Sequence, residues 1–211
     1  MPFPPTHPAL ERALAAHGYA EPTPVQDAVL AQEALGRDLL VSAQTGSGKT
    51  VAFGLAAGPT LLEGAEKFGP AGSPLALVIA PTRELAMQVS VELTWLYAQT
   101  GARVETCVGG MDPRREQRAL ANGVHIVVGT PGRLKDHLER GNLDLSALRV
   151  VVLDEADEML DMGFREDLEE ILDSAPADRR TLLFSATIAR EIATLAKRYQ
   201  KDAVRIDTSN R

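Results

Sequence analysis

The stretch from Asp38 to Phe53, DLLVSAQTGSGKTVAF, constrains the fold of this chain more than any other. Its apolar run Leu39–Val41 predicts a short buried strand, and the residues from Val51 onward predict a helix. Between them lies a glycine-bearing loop that ends in Gly-Lys-Thr. The backbone N–H groups of such a loop, with the helix N-terminus, form a positive cradle for phosphate oxygens. The stretch indicates a nucleotide-binding loop, and a chance glycine-rich turn is the alternative.

The residue types within this loop predict separate tasks. Lys49 can reach the β- and γ-phosphates of a nucleotide, and the Thr50 hydroxyl can bind Mg²⁺. The generic pattern begins with Gly, where this chain has Ala43, and this departure narrows the choice of family. The residues assigned to nucleotide binding in the loop are Thr45, Gly46, Ser47, Gly48, Lys49 and Thr50.

Composition limits the class of protein. With 211 residues, 45% of them hydrophobic, the chain suits one well-buried domain. Its one cysteine, Cys107, excludes an internal disulfide and a multi-cysteine metal site, and predicts a core thiol. A net charge of −7 argues against nucleic acid held by bulk electrostatics, but allows a local groove that contacts a few phosphates. Because neither a signal peptide nor an apolar span is apparent, we expect a cytoplasmic protein without membrane contact.

After the loop, apolar runs alternate with helical patterns. Continuous apolar runs indicate an α/β fold whose parallel sheet is buried on both faces, with ligands bound at the carboxyl ends of its strands. The predicted strands are Leu75–Ala80, Val104–Val108, Val124–Val128, Val150–Asp154, Thr181–Ser185 and Ala203–Ile206. The predicted helices are Glu84–Tyr97, Pro113–Ala121, Arg133–Arg140, Phe164–Asp173 and Ala189–Tyr199. Trp95 lies in an apolar helix and is predicted to belong to the core.

The segment before the loop carries two helical patterns, one that ends at Gly18 and one over Val25–Leu35. Gln26 lies in the first turn of the second helix. Its amide offers a donor beside an acceptor, which suits an adenine edge. A solvated side chain is the alternative at this position.

An acidic pair, Asp154 and Glu155, follows the apolar run that begins at Val150. Beside a phosphate loop, Asp154 would hold Mg²⁺ and Glu155 would orient and deprotonate the attacking water. The alternative is a set of acids that stabilises the N-terminus of a helix over Glu155–Leu160.

Seven motifs occur in the order found in DEAD-box RNA helicases, and across its whole length the chain resembles the N-terminal ATPase domain of that family. The motifs are Gly18-Tyr19 with Pro22–Gln26, Ala43–Thr50, Pro81–Ala86, Gly109-Gly110, Thr130–Arg133, Asp154–Asp157 and Ser185–Thr187.

The resemblance implies a fold and a division of residues. The fold is a three-layer α/β sandwich, a RecA-like P-loop NTPase domain over residues 1–211, with an adenine-reading segment at about 1–36. Tyr19 and Gln26 would bind the nucleotide, Gln26 would favour ATP, and Phe3 is the one upstream phenylalanine available to stack on the base. The residues implied in contacts with the RNA backbone are Thr82, Arg83, Gly110, Thr130 and Arg133. Those implied in coupling hydrolysis to strand separation are Asp157, Ser185 and Thr187.

The function expected from the resemblance is ATP-dependent RNA unwinding, with ATP and Mg²⁺ as cofactors. The partners would be RNA, bound without sequence specificity, and a second RecA-like domain, which carries arginine fingers in this family. We expect the 211-residue chain alone to be monomeric and nearly inactive. Two alternatives remain, a DNA-directed translocase and a scaffold that does not hydrolyse ATP. The presence of Lys49, Asp154 and Glu155 together disfavours the scaffold.

Overall fold

A seven-stranded parallel sheet forms the middle layer of the computed structural model, which describes residues 2–208. The strands are β1 (Leu39–Ser42), β2 (Ala76–Ile79), β3 (Val104–Cys107), β4 (Ile126–Gly129), β5 (Val150–Leu153), β6 (Arg180–Ser185) and β7 (Val204–Asp207). Their order in the sheet is β3-β4-β2-β5-β6-β1-β7, and all six strand pairings are parallel.

Helices cover both faces of the sheet, because alternate residues of each strand point to opposite sides. Val78 packs with the four α-helices between residues 8 and 96 on one face, whereas Leu77 packs with the four between residues 131 and 199 on the other. The helices are α1 (Pro8–Ala16), α2 (Pro24–Val29), α3 (Lys49–Leu62), α4 (Arg83–Leu96), α5 (Pro113–Ala121), α6 (Pro131–Glu139), α7 (Ala156–Asp161), α8 (Arg165–Asp173) and α9 (Arg190–Tyr199). The predicted three-layer sandwich is confirmed. Within residues 2–208, no helix is long and apolar enough to cross a membrane.

The predicted helix over Val25–Leu35 is wrong in its second half. Helix α2 ends at Val29, and Gln32–Ala34 form a separate 3₁₀ turn after an extended residue, Ala31. The buried guanidinium of Arg180 accounts for this break, since it donates hydrogen bonds to the carbonyl oxygens of Ala34 at 3.0 Å and Arg37 at 2.6 Å. This tertiary contact overrides the local helical pattern.

Cys107 and Trp95 fit their predicted surroundings to different degrees. The Cys107 thiol is free and buried, and burial raises its pKa to about 12, so a core thiol is confirmed. Trp95 packs against the core, but it is only partly buried and its ring stacks on the exposed His17 with centroids 3.9 Å apart.

Candidate active site and nucleic-acid interface

The strand order gathers the predicted site residues at one edge of the sheet. The carboxyl ends of β1, β6 and β5, with the segments that follow them, carry the phosphate loop, Ser185–Thr187 and Asp154–Asp157. The loops and helix starts that follow β2, β4 and β3 carry Thr82 with Arg83, Thr130 with Arg133, and Gly110. Because β5 and β2 are neighbours, the nucleotide candidates and the RNA candidates occupy adjacent halves of one edge.

The phosphate loop adopts a conformation that requires glycine. Gly46 has a φ of 82° and Gly48 a φ of 81°, in the left-handed region that L side chains rarely adopt. A Cβ atom on Gly48 would also lie 2.5 Å from Nε2 of Gln26. Helix α3 begins directly after Gly48, so its first N–H groups face the loop. The local sequence thus builds a cradle for anions at the N-terminus of a fourteen-residue helix.

Lys49 lies after β1 and is in direct contact with the acidic pair that follows β5. The Lys49 Nζ atom donates a hydrogen bond to Asp154 Oδ1 at 2.6 Å and lies 3.6 Å from Glu155 Oε1. The Thr45 hydroxyl donates to the same Glu155 oxygen at 3.1 Å. The acids are therefore bound to the phosphate loop, and the Glu155 side chain makes no capping hydrogen bond to the next helix.

Asp154 has the properties of a cation ligand. It is fully buried, and burial raises its pKa, although the charge and hydrogen bond of Lys49 oppose this effect. Its second oxygen, Oδ2, has no hydrogen-bond partner among the described residues. Thr50 is also buried, one residue after Lys49. A carboxylate oxygen and a hydroxyl are hard donors that suit Mg²⁺, so these residues fit the metal that the phosphate-loop motif implies.

Glu155 adopts a strained backbone conformation. Its φ of 53° and ψ of 54° lie in the left-handed region, which is rare for a residue with a side chain. Such strain costs on the order of 1–3 kcal/mol and is found mainly at functional sites. The conformation ends β5 sharply and leaves the Glu155 side chain within reach of Thr45 and Lys49.

Gln26 contacts the phosphate loop, which the sequence did not predict. Its Nε2 donates to the Gly48 carbonyl oxygen at 3.1 Å, and its Oε1 accepts from the Thr23 N–H at 2.9 Å. Thr23 in turn accepts from the Gln26 N–H, so the two residues form a capping box at the start of α2. The spacing of Thr23 and Gln26 was the available signal for this box. The buried Gln26 is not the solvated side chain of the alternative interpretation.

Two aromatic residues lie in other contacts: Tyr19, which the resemblance implied in nucleotide binding, and Phe3, the upstream phenylalanine available to stack on the base. The Tyr19 ring stacks on Trp95 with centroids 5.4 Å apart. Phe3 is partly buried and packs against the core. No hydrogen bond or ring contact among the described residues joins either one to the phosphate loop, so their role in binding adenine stays a prediction.

The three residues implied in coupling form a hydrogen-bonded group beside the acidic pair. Asp157 Oδ2 accepts from the Thr187 N–H at 3.2 Å and from its hydroxyl at 3.0 Å. The Ser185 hydroxyl donates to the Thr187 carbonyl oxygen at 2.7 Å and accepts from the Asp157 N–H at 3.3 Å. The group ties the loop after β5 to the loop after β6.

The second half of the edge contains a groove of about 440 Å³. Its lining includes Pro81, Arg83, Gly109, Thr130, Gly132 and Arg133. The Arg83 side chain is 49% exposed, and a Cβ atom on Gly110 would lie 2.6 Å from its Nη1. The Thr130 hydroxyl accepts from the Gly109 N–H at 3.3 Å and makes no capping bond to α6, whereas the Thr82 hydroxyl caps α4. The wall of the groove thus contains the half-exposed cation of Arg83 and the N-terminus of α6, with the Asp136 carboxylate also in its lining.

Arg133 lines the groove, but its guanidinium is bonded to protein groups, and its contact with RNA stays a prediction. Its side chain is only 13% exposed, and Nη1 donates to Glu116 Oε1 at 2.7 Å and to the Met111 carbonyl oxygen at 3.1 Å. Sequence reasoning missed Glu116, because an isolated acid in a polar helix gives no sign of burial. Its position on α5 carries no local motif.

A parallel sheet with a phosphate loop after one strand, and an acidic pair bound to its lysine after another, defines a P-loop nucleoside triphosphatase. The chain belongs to the DEAD/DEAH box helicase family, whose sequence model matches residues 23–195. The family predicted from the motifs is confirmed.

Individual relatives agree with this assignment. Over 192 residues the chain is 47% identical to the DEAD-box ATP-dependent RNA helicase CshA of Geobacillus kaustophilus, covering 90% of this chain and 40% of that protein. It is also 47% identical over 202 residues to the DEAD-box ATP-dependent RNA helicase 9 of Oryza sativa, covering 95% of this chain and 31% of that protein. A crystal structure of a DEAD box protein from Methanococcus jannaschii matches with a TM-score of 0.83 at 38% identity, over 95% of this chain and 53% of that one. The chain therefore spans about half or less of these relatives.

Proposed function

We propose that this chain is the ATP-binding module of an RNA helicase and that it holds Mg-ATP and the backbone of single-stranded RNA on one edge of its sheet. The observation that carries this proposal is the contact of Lys49 with Asp154 and Glu155, beside a groove on the adjoining strands. The Asp157–Ser185–Thr187 group lies at the nucleotide half and provides a path by which a change at the phosphates reaches neighbouring loops.

The chemistry follows from the residues around the loop. When ATP binds, Lys49 exchanges its bond to Asp154 for the β- and γ-phosphate oxygens. Thr50 and Asp154 would hold Mg²⁺, partly through water, and the ion would supply positive charge against the phosphate oxygens. Glu155 orients a water molecule in line with the γ-phosphate and accepts its proton. The P–O bond to the leaving ADP then breaks, and inorganic phosphate forms.

RNA recognition in the groove is expected to ignore sequence. The available donors are backbone N–H groups, hydroxyls and arginine, which contact phosphates and sugars. A DNA-directed motor would use the same nucleotide site, so comparing RNA with DNA of equal length distinguishes it from the proposed helicase; 2′-hydroxyl contacts favour RNA. A cytoplasmic location stays a prediction.

We expect ADP to bind this chain more tightly than GDP, and Gln26→Ala to remove the difference. A good bidentate contact between an amide and adenine discriminates by about 1–3 kcal/mol, so the ratio of dissociation constants should be roughly tenfold or more. Because Gln26 Nε2 also bonds to the Gly48 carbonyl, the variant should weaken both nucleotides as well. Isothermal titration calorimetry gives both dissociation constants.

Two further variants complete the calorimetry. Gln26→Glu keeps an acceptor for Thr23 but loses the donor to Gly48, whereas Gln32→Ala changes an exposed glutamine on the same segment and should have no effect. Equal weakening of both nucleotides with the preference intact would mean that Gln26 braces the loop without reading the base.

We expect Arg83→Ala to weaken the binding of single-stranded RNA to a similar extent for different sequences. Loss of one phosphate contact should lower the slope of log K against log salt by about 0.7. Fluorescence anisotropy at several salt concentrations measures this slope. Arg12→Ala, which removes an exposed arginine on α1 away from the groove, is the control. An unchanged slope in Arg83→Ala would remove this residue from the interface.

A further inference from the structure

Glu116 is a buried carboxylate that joins the loops of the RNA groove. It lies on α5, is 6% exposed and receives three hydrogen bonds. Its Oε2 accepts from the Val108 N–H at 2.9 Å, and its Oε1 accepts from Arg133 at 2.7 Å and His137 at 2.8 Å. Val108 immediately precedes the Gly109-Gly110 loop, and Arg133 and His137 belong to the helix that begins at the groove. One side chain therefore fixes the loop after β3 to the start of α6.

Arg133 extends this connection. Besides Glu116, it donates to the carbonyl oxygen of Met111, on the far side of the Gly109-Gly110 loop. His137 is 1% exposed, and its other ring nitrogen, Nδ1, lies 3.1 Å from Asn142 Nδ2. The residues on either side of the two glycines, Val108 and Met111, are thus bonded to Glu116 and Arg133 respectively. We call Glu116, Arg133 and His137 the groove clamp.

A metal ion is a poor explanation for this cluster. Ligand atoms of Cys107, Glu116 and His137 lie within 4.8 Å of one another, which is close enough for a shared ion. Glu116 is already paired with the Arg133 cation and with two further donors, and a second cation beside Arg133 would be repelled. Burial raises the pKa of the Glu116 carboxyl, but the bonds from His137 and Arg133 outweigh this effect and leave the pKa below its ordinary value. The carboxylate is therefore ionised and satisfied by protein donors.

We infer that Glu116 is a positioning residue for RNA binding, and that Arg133 acts chiefly through Glu116 to hold the Gly109-Gly110 loop against the N-terminus of α6. This inference rests on the proposed RNA-binding function and names a residue that determines the shape of its groove. Glu116 itself does not touch RNA. Its contribution is the geometry of the backbone groups that line the groove.

The direction in which one substitution changes RNA affinity distinguishes a positioning role from simple electrostatics. Glu116→Gln removes a negative charge near the groove, and Coulomb attraction alone would then strengthen RNA binding. All three partners of Glu116 are donors, so the amide NH₂ of a glutamine must face at least one of them. The clamp would loosen, and positioning therefore predicts weaker RNA binding.

The experiment measures the affinity of this chain for a labelled homopolymer RNA by fluorescence anisotropy at one low salt concentration. We expect Glu116→Gln to weaken binding roughly tenfold, a loss in line with broken hydrogen bonds to a charged group. ADP affinity by calorimetry should be unchanged, since the clamp lies on the other half of the edge. Gln117→Ala is the matched control, because Gln117 is the next residue of α5 and is exposed.

A double-variant cycle tests the role of Arg133. If Arg133 acts through Glu116, then Arg133→Gln weakens RNA binding in the wild-type chain and adds little in the Glu116→Gln background. Additive losses would mean that Arg133 contacts RNA independently, and would overturn the inference. The wild-type chain also provides a test without any variant, because the Val108 amide should exchange its hydrogen slowly; rapid exchange contradicts the clamp.

The outcomes for the inference and for the proposed function are distinct. RNA binding that Glu116→Gln leaves unchanged or strengthens overturns the inference alone. A parallel loss of ADP affinity overturns it too, because it would indicate a general loss of structure. Absence of RNA binding by the wild-type chain overturns the proposed function, and the inference with it.

Discussion

Lys49→Ala is expected to abolish measurable ADP binding and to destabilise the fold. The binding loss follows from the removal of the one cation in ion-pair contact with the acidic pair within residues 2–208. The destabilisation follows from Asp154, which is fully buried and would lose its 2.6 Å partner. Breaking a buried ion pair on one side costs about 3–5 kcal/mol, because the remaining charge stays desolvated.

The destabilisation by Lys49→Ala should depend on pH. Burial already raises the pKa of Asp154, and the loss of Lys49 removes the opposing effect, so the folded state holds the Asp154 proton more tightly than the unfolded state does. The unfolded chain releases that proton first, and stability therefore falls as pH rises from the unfolded pKa to the folded one. Urea denaturation at pH 5 and pH 8 measures this difference. We expect the larger loss at pH 8.

Two controls define the outcome for Lys49. Lys135→Ala removes a surface lysine whose ion pair with Asp167 is 3.3 Å long, and should change stability far less than Lys49→Ala does. Adding Asp154→Asn to Lys49→Ala removes the unpaired charge and should recover part of the stability without recovering ADP binding. Retention of ADP binding by Lys49→Ala would contradict the assignment of the phosphate loop.

The local parts of this molecule were the predictable ones. The apolar runs predicted the strands, and the Gly-Lys-Thr loop with the Asp154–Glu155 pair predicted the nucleotide site, since each depends on a few consecutive residues. The order of the strands brings the phosphate loop and the acidic pair together, and no single segment of the sequence determines that order. The strand order was therefore not predicted and is known from the structure.

The incorrect or missing predictions share one cause, which is contact between residues far apart in the chain. Arg180 donates hydrogen bonds to carbonyl oxygens of the segment after α2, and this contact shortens a helix that the local pattern predicted to continue. Glu116 accepts a hydrogen bond from Arg133, 17 residues further along the chain, and the motif did not predict this contact. Neither the direction of a guanidinium nor the burial of one acid in a polar helix can be inferred from spacing alone.

The chain alone is expected to hydrolyse ATP about 10³- to 10⁵-fold more slowly than the same chain joined to a second RecA-like domain of its family. An arginine finger contributes a factor of this size by stabilising charge on the transferring phosphoryl group. Within residues 2–208, no arginine forms an ion pair with Asp154 or Glu155. The Asp157–Thr187 bond lies on an exposed surface, where a docking domain could contact it. Single-turnover hydrolysis with and without saturating RNA measures both rates.

Glu155→Gln shows whether the faster rate belongs to this site. In the joined protein the variant should lose about 10²- to 10⁴-fold in rate, because it removes the base that accepts the proton of water. Calorimetry should show nearly unchanged affinity for ADP, since Glu155 acts on the water and Lys49 holds the phosphates. Fast, RNA-stimulated hydrolysis by the isolated chain would mean that its own residues complete the site, and the need for a second domain would then be wrong.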